Sequence, residues 1–125
     1  MEEDKIRTFK DLKTWQEGHK LVLAVYKTTK IFPREESFRL VSQLCRAVVS
    51  ITSNIAEGFS RNSSKEKRQF YAMSLGSLTE VENQIIISKD LGYIRDLEYN
   101  ELIKQIILIN KLIHGLMKSV QDKHS

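Results

Sequence analysis

The chain has 125 residues, 41% hydrophobic and 29% charged, with 20 Lys and Arg against 16 Asp and Glu for a net charge of +4. That balance describes one domain with a real core and argues against disorder; the mild basicity permits a polyanionic partner without requiring one. No run approaches the roughly 18 apolar residues of a membrane span, and the single Cys45 excludes an internal disulfide. The start Met1-Glu2-Glu3-Asp4-Lys5 is unlike a signal or transit peptide, so a cytoplasmic location is expected.

One proline and five glycines leave little punctuation, which favours few, long elements. The first predicted helix covers residues 13–31, with Asp11 as its N-cap and Leu21, Val25, Thr28 and Phe32 at helical spacing. Pro33 ends it, because the residue before a proline is pushed out of helical geometry. A second helix follows over 38–59. Its apolar stripe is Leu40, Leu44, Val48, Ile51 and Ile55, and Arg46, Ser50, Ser53, Asn54 and Glu57 share the other face. Gly58 suits a left-handed helix end.

Ser63 and Glu66 read as a capping box that opens a third helix over 64–91, with Phe70, Leu75, Leu78, Val81 and Ile85 toward the core. Gly92 closes it. Asp96 is the predicted cap of a fourth helix over 97–121, built on Leu102, Ile106, Ile109, Ile113 and Leu116, and the tail Asp122–Ser125 is expected to fray. Four long helices with short connections predict an all-α, antiparallel up-down four-helix bundle.

Two stretches carry more apolar surface than one bundle buries. Ile85-Ile86-Ile87 and Ile106-Ile107-Leu108-Ile109 place hydrophobic groups on nearly every side of their helices, since successive residues step about 100° round the axis. Either the core faces are broad and a few isoleucines stay exposed, or Ile86, Ile87, Ile107 and Leu108 meet a second copy. The surplus apolar surface favours homo-oligomerisation.

Several local patterns stand in the order found in a family of small bacterial helical proteins. Phe9-Lys10-Asp11-Leu12 precedes Trp15-Gln16, followed by Val25-Tyr26 and Phe32-Pro33. Residues 43–51 lead through Asn54-Ile55-Ala56-Glu57-Gly58 to Arg61; Phe70, Gly76-Ser77, Glu80-Val81-Glu82 and Asp90-Leu91-Gly92-Tyr93 continue the series. In these the chain resembles the 23S rRNA intervening-sequence protein family over nearly its whole length. The resemblance implies a four-helix bundle assembled as a ring, a homopentamer. It also brings in the related accessory variability determinant proteins of diversity-generating retroelements, basic pentamers that engage nucleic acid and a reverse transcriptase. The family name records a location inside some 23S rRNA genes, not an activity. Two departures stand out: Cys45-Arg46 replaces the pair of arginines of many members, and Thr52 replaces a frequent proline, which implies a straighter second helix.

The chemistry-bearing residues point away from catalysis. Arg46, Asn54 and Glu57, with Glu80 and Glu82 of the third helix, are candidates for an inter-helix polar network, either an anion site or a structural register device. No metal is expected: neither His19, His114 nor His124 follows a glutamate by three residues, as a di-metal bundle site requires. Cys45 has no evident histidine partner and no glycine-rich phosphate loop is present. The chain therefore reads as a non-enzyme without cofactors. Its cation candidates are Arg46, then Arg61, Lys65, Lys67 and Arg68 round the second turn, then Lys104, Lys111 and Lys118 at seven-residue spacing on one helical face, with Lys123 beyond. Repeated round a ring they would form a track for RNA or DNA that binds by charge and shape. Trp15 and Tyr26 read as packing for the first helix. The alternative is a structural scaffold ring that docks a protein partner.

Overall fold

The structure is a computed structural model that describes residues 5–121, with backbone only at Gln121; the predicted fraying tail and Lys123 lie outside the described residues. Four α-helices dominate it: α1 (Lys13–Thr29), α2 (Leu40–Ser60), α3 (Ser64–Asp90) and α4 (Asp96–Gln121). Short 3-10 turns at Phe9–Asp11 and Arg34–Glu36 precede α1 and α2, and no strand occurs among the described residues. None of these helices is long and apolar enough to cross a membrane, among the described residues.

Each helix packs on its chain neighbours, and α1 closes against α4. Cross-helix pairs fix the directions. Gln43 meets Gln84, Ser50 meets Ser77 and Gly58 meets Tyr71, so α2 and α3 run antiparallel. Thr14 reaches the Leu112 carbonyl near one end of the α1–α4 pair, and Thr28 and Leu102 share a hollow near the other. The core follows the apolar stripes: Leu21 and Val25 of α1, Leu44, Val48, Ile51 and Ile55 of α2, and Leu102, Ile106, Ile109 and Ile113 of α4 are buried.

Three helix starts differ from the sequence reading. Asp11 does not cap α1, whose N-cap position is Leu12 without a side-chain bond. Its carboxylate instead accepts the Arg7 and Thr8 N–H groups at 2.9 and 3.0 Å and staples the preceding 3-10 turn. Asp96 is the first residue of α4, whose first intrahelical bond runs from Tyr99 N–H to the Arg95 carbonyl at 2.9 Å. The second helix starts at Leu40, not Phe38, because Arg34–Glu36 forms its own turn and leaves Phe38 96% exposed. Glu36 serves this end: it accepts Leu40 N–H at 3.5 Å and the Tyr93 hydroxyl at 2.9 Å, which raises the Tyr93 pKa.

Bonds from Arg7 and Thr8 hold the Asp11 carboxyl below the ordinary Asp value of 3.8. A depressed folded-state pKa adds stability that is complete above the ordinary value and lost as pH falls through the folded one. The N-terminal turn should therefore loosen on acidification below about pH 4. Amide exchange at Arg7 and Thr8 is expected to accelerate there while core amides stay protected; exchange independent of pH, after correction for intrinsic rate, would contradict the assignment.

Helix α3 presents a different stripe from the one its apolar residues suggest. Tyr71, Ser74, Leu78, Val81, Ile85 and Ser88 are buried, whereas Phe70 and Leu75 are only half-buried. The reason is the α2–α3 seam. Ser74 Oγ donates to the Ile51 carbonyl at 2.8 Å, the Ser50 and Ser77 hydroxyls bond at 2.8 Å, and Asn54 Nδ2 donates to Ser50 at 2.9 Å. Small, hydrogen-bonded side chains let the two helices approach closely. Gly58 belongs to this seam. It sits inside α2, and the positive-φ glycine is Gly92, at 86°. Helix α2 runs unbroken through Thr52, whose methyl lies against Gly18.

Candidate nucleic-acid interface

Folding sorts the charges that the sequence spreads out. Residues 5–20, 51–76 and 109–121 make up the half of the bundle that holds the α2–α3 turn and the start of α1; they carry eleven Lys and Arg against four Asp and Glu. The other half, residues 21–50 and 77–108, carries eight of each. Among the described residues the whole cationic excess therefore sits in one half, where the fields of neighbouring cations add.

Within that half the four cations round the α2–α3 turn have unequal duties. Lys67 Nζ donates to the Phe59 carbonyl at 2.7 Å and lies 5.3 Å from the Phe59 ring centroid, so it caps the C-terminus of α2 and completes its dipole. Arg61 pairs with Glu57 at 3.6 Å and stacks 4.5 Å from the Phe70 centroid. Lys65 and Arg68 have no hydrogen-bonding or acidic partner among the described residues, and both line a hollow of about 380 Å³ with Gln69, Ala72 and Met117. The next residue along α4 is Lys118.

Lys104, Lys111 and Lys118 are exposed and share the outer face of α4, about 10.5 Å apart at 1.5 Å per residue. Ile107 and Leu108 lie on that same face, between Lys104 and Lys111. Residues at i, i+3, i+4 and i+7 are surface neighbours on a helix. Ile107 is 52% exposed and Leu108 38%; on α3, Ile86 and Ile87 are exposed to 39% and 41%. The two expectations for α4 thus compete for one surface: a strip covered by a second copy cannot also follow a phosphate backbone.

The candidate polar network does not close. Asn54 is spent within α2, on Ser50; Glu57 pairs with Arg61 in solvent; and Glu80 accepts from Gln84 at 3.2 Å. Arg46 is exposed, in the neutral half, and neither it nor Glu82 has an ion pair among the described residues. Arg46 and Glu57 sit further round α2 than the seam positions Ser50, Asn54 and Gly58, so they face water rather than α3. The inter-helix polar work is done by Ser74, Ser77 and Gln84, which carry no charge and give no charge-pattern signal in the sequence. Trp15 does pack, edge-on to Phe9 and stacked on His19, while Tyr26 is 46% exposed.

The second prominent hollow, about 480 Å³, lies between α1 and α4 in the neutral half, where Ala24, Ile31 and Leu97 form walls beside Lys27, Arg95 and Glu98. Among the described residues no three His, Cys, Asp or Glu side chains converge.

No functionally curated protein matches the chain. Among solved structures, a protein of unknown function from the S23 ribosomal protein family of Bacteroides thetaiotaomicron, determined at 1.70 Å, has the same fold. It is 21% identical, with a TM-score of 0.77 over 84% of this chain and 98% of that one. The sequence pattern of the 23S rRNA-intervening sequence proteins matches residues 10–115. With its four helices and a match over most of its length, the chain belongs to the 23S rRNA-intervening sequence protein family.

Proposed function

We propose that this protein is a non-enzymatic, cytoplasmic homo-oligomer, a pentameric ring as the family resemblance implies, that binds RNA or other nucleic acid through the basic half of each bundle. The observation that carries the reading is the segregation of charge: eleven cations against four acids in one half, eight against eight in the other. A ring presenting these halves together would concentrate the field further. Contacts of this type bind phosphates without reading sequence.

Fluorescence-anisotropy titration with mixed single-stranded RNA, repeated over a salt series, tests it. Log affinity should fall with log salt at a slope of about −0.7 per neutralised phosphate, with several phosphates engaged. Binding that is absent at low salt defeats the reading.

Self-association uses the exposed Ile86, Ile87, Ile107 and Leu108 in this view. The double variant Ile107→Asp, Leu108→Asp should lower the mass measured by light scattering while the helical content stays unchanged. A wild-type mass of 14.5 kDa, that of one chain, would remove the oligomer.

A second reading, a scaffold that docks a protein partner, is favoured by the neutral end of the bundle. There Ile31, Phe38, Leu91 and Leu97 are 68%, 96%, 55% and 75% exposed. Charge segregation ranks it second, because a docking scaffold has no need of a basic half.

A further inference from the structure

We propose that the hollow between the first turns of α3 and the last turns of α4 is a nucleotide subsite. Arg68 and Lys65 hold one phosphodiester there, and Met117 and Ala72 receive the attached base. This inference rests on the nucleic-acid reading above and names the place where a strand would be gripped rather than merely attracted.

The cations of the α2–α3 turn separate into two that hold the fold and two that do not. Arg61 and Lys67 are committed to Glu57, Phe70 and the Phe59 carbonyl. Lys65 and Arg68 are not so committed, and both face the hollow. Arg68 Nε is buried and has no acceptor among the described residues. A buried N–H without a partner is unfavourable and is normally avoided, so a turn of the side chain that brings this N–H to an acceptor in the hollow is favoured. The Nε–H and one terminal N–H of a guanidinium form a planar fork that matches two oxygens of a phosphate. Lys65, one turn earlier on α3, adds a mobile point charge.

The nearest acid in sequence, Glu66, forms no ion pair with either cation. Its N–H is bonded to Ser63 Oγ at 3.0 Å. The site lies close to the N-terminus of a 27-residue helix, whose partial positive charge adds to the field.

The rest of the lining suits a base. Ala72 and Met117 are apolar, and a thioether makes favourable contacts with aromatic rings. Gln69 offers a donor and an acceptor at the rim, enough to satisfy a base edge without selecting one. The volume, about 380 Å³, falls in the roughly 300–1,000 Å³ range of small-ligand sites. Unlike the α4 face that carries Lys104 and Lys111, this hollow contains none of the four apolar residues assigned to self-association.

Arg68→Lys is the decisive variant, because it keeps the charge and removes the fork. Affinity for mixed single-stranded RNA should fall about tenfold, the effect of one charge-assisted hydrogen bond, with the salt slope and melting temperature unchanged. RNA binding within twofold of wild type would overturn the subsite and leave the wider basic surface standing. Wild-type protein that fails to bind RNA at low salt would overturn both. An independent readout uses the ¹⁵N-edited Arg68 Nε–H signal and the Met117 methyl signal during titration with adenosine monophosphate. Saturable shifts of both are expected, whereas inorganic phosphate should move Arg68 alone. An Arg68 Nε–H signal indifferent to both ligands would rule the subsite out.

Discussion

Ile109→Asp should unfold the protein at room temperature. Ile109 is fully buried on α4 beside Ile106 and Ile113, and no Lys or Arg is buried among the described residues to pair with a carboxylate there. Loss of the isoleucine packing costs about 2–5 kcal/mol by analogy with other large-to-small core changes. Burial of a polar group without a partner adds about 2 kcal/mol or more, even if the carboxyl takes up a proton. The sum is on the order of 5 kcal/mol, which rivals the whole stability of a typical domain at about 5–15 kcal/mol. Far-UV circular dichroism should show lost or broadly melting helix. The same substitution two residues earlier, at the half-exposed Ile107, should leave the melt close to wild type and act on the oligomeric mass. Matching melts for Ile109→Asp and wild type would mean that α4 is not packed as described.

How much of this was legible in the sequence depended on what kind of residue did the packing. The stripes of α2 and α4 were readable because leucine, valine and isoleucine carry them: Leu44, Val48, Ile51, Ile55, Leu102, Ile106, Ile109 and Ile113 are buried as their spacing implies. The Ser63 cap was readable too, and Glu66 N–H donates to its hydroxyl. On α3 the same reasoning selects Phe70 and Leu75, although Tyr71 and Ser74 are the buried pair. Apolar periodicity cannot see a seam made of small residues whose polar atoms are satisfied across it, as Ser74 is by the Ile51 carbonyl.

The candidate interface was legible as a set of cations but not as a division of labour. Arg61 follows Glu57 by four residues, the spacing of a helical ion pair, but nothing in the spacing says that Lys67 rather than Lys65 or Arg68 meets the Phe59 carbonyl. That partner comes from the geometry of the turn. The conflict on α4 was present in the sequence, since Lys104, Ile107, Leu108 and Lys111 fall on one face of any α-helix. Periodicity alone could not say whether a second copy or a polyanion takes that face. The fold gives a reason to choose, because it supplies a separate basic surface at the turn.

Gly58→Ala tests that turn most directly, and it should destabilise the protein although alanine is the better helix former. The gain from replacing glycine inside a helix is about 1 kcal/mol. Against it, an added Cβ at position 58 would stand 2.6 Å from Tyr71 Cε1, 2.9 Å from Cδ1 and 3.0 Å from Phe70 Cβ. The Tyr71 ring cannot swing aside: its side chain is 1% exposed, and burial pushes its phenol pKa up to about 12. The helices must spread instead. That strains the Ser74 bond to Ile51 and the Ser50–Ser77 bond, each worth about 1 kcal/mol, on top of about 1–3 kcal/mol for overpacking. A net loss of about 2 kcal/mol should lower the melting temperature by roughly 8 °C in a chain of this size. Gly115→Ala is the matched control, since its Cβ meets nothing within 4 Å and should stabilise α4 slightly. Opposite signs for the two variants identify Gly58 as a packing residue; stabilisation by both would mean that the α2–α3 seam has room. Because Lys67 is anchored on the Gly58 and Phe59 carbonyls at 3.5 and 2.7 Å, spreading the seam also displaces the first turns of α3. Gly58→Ala should then weaken RNA binding as well, through the position of Arg68 and not through any lost charge.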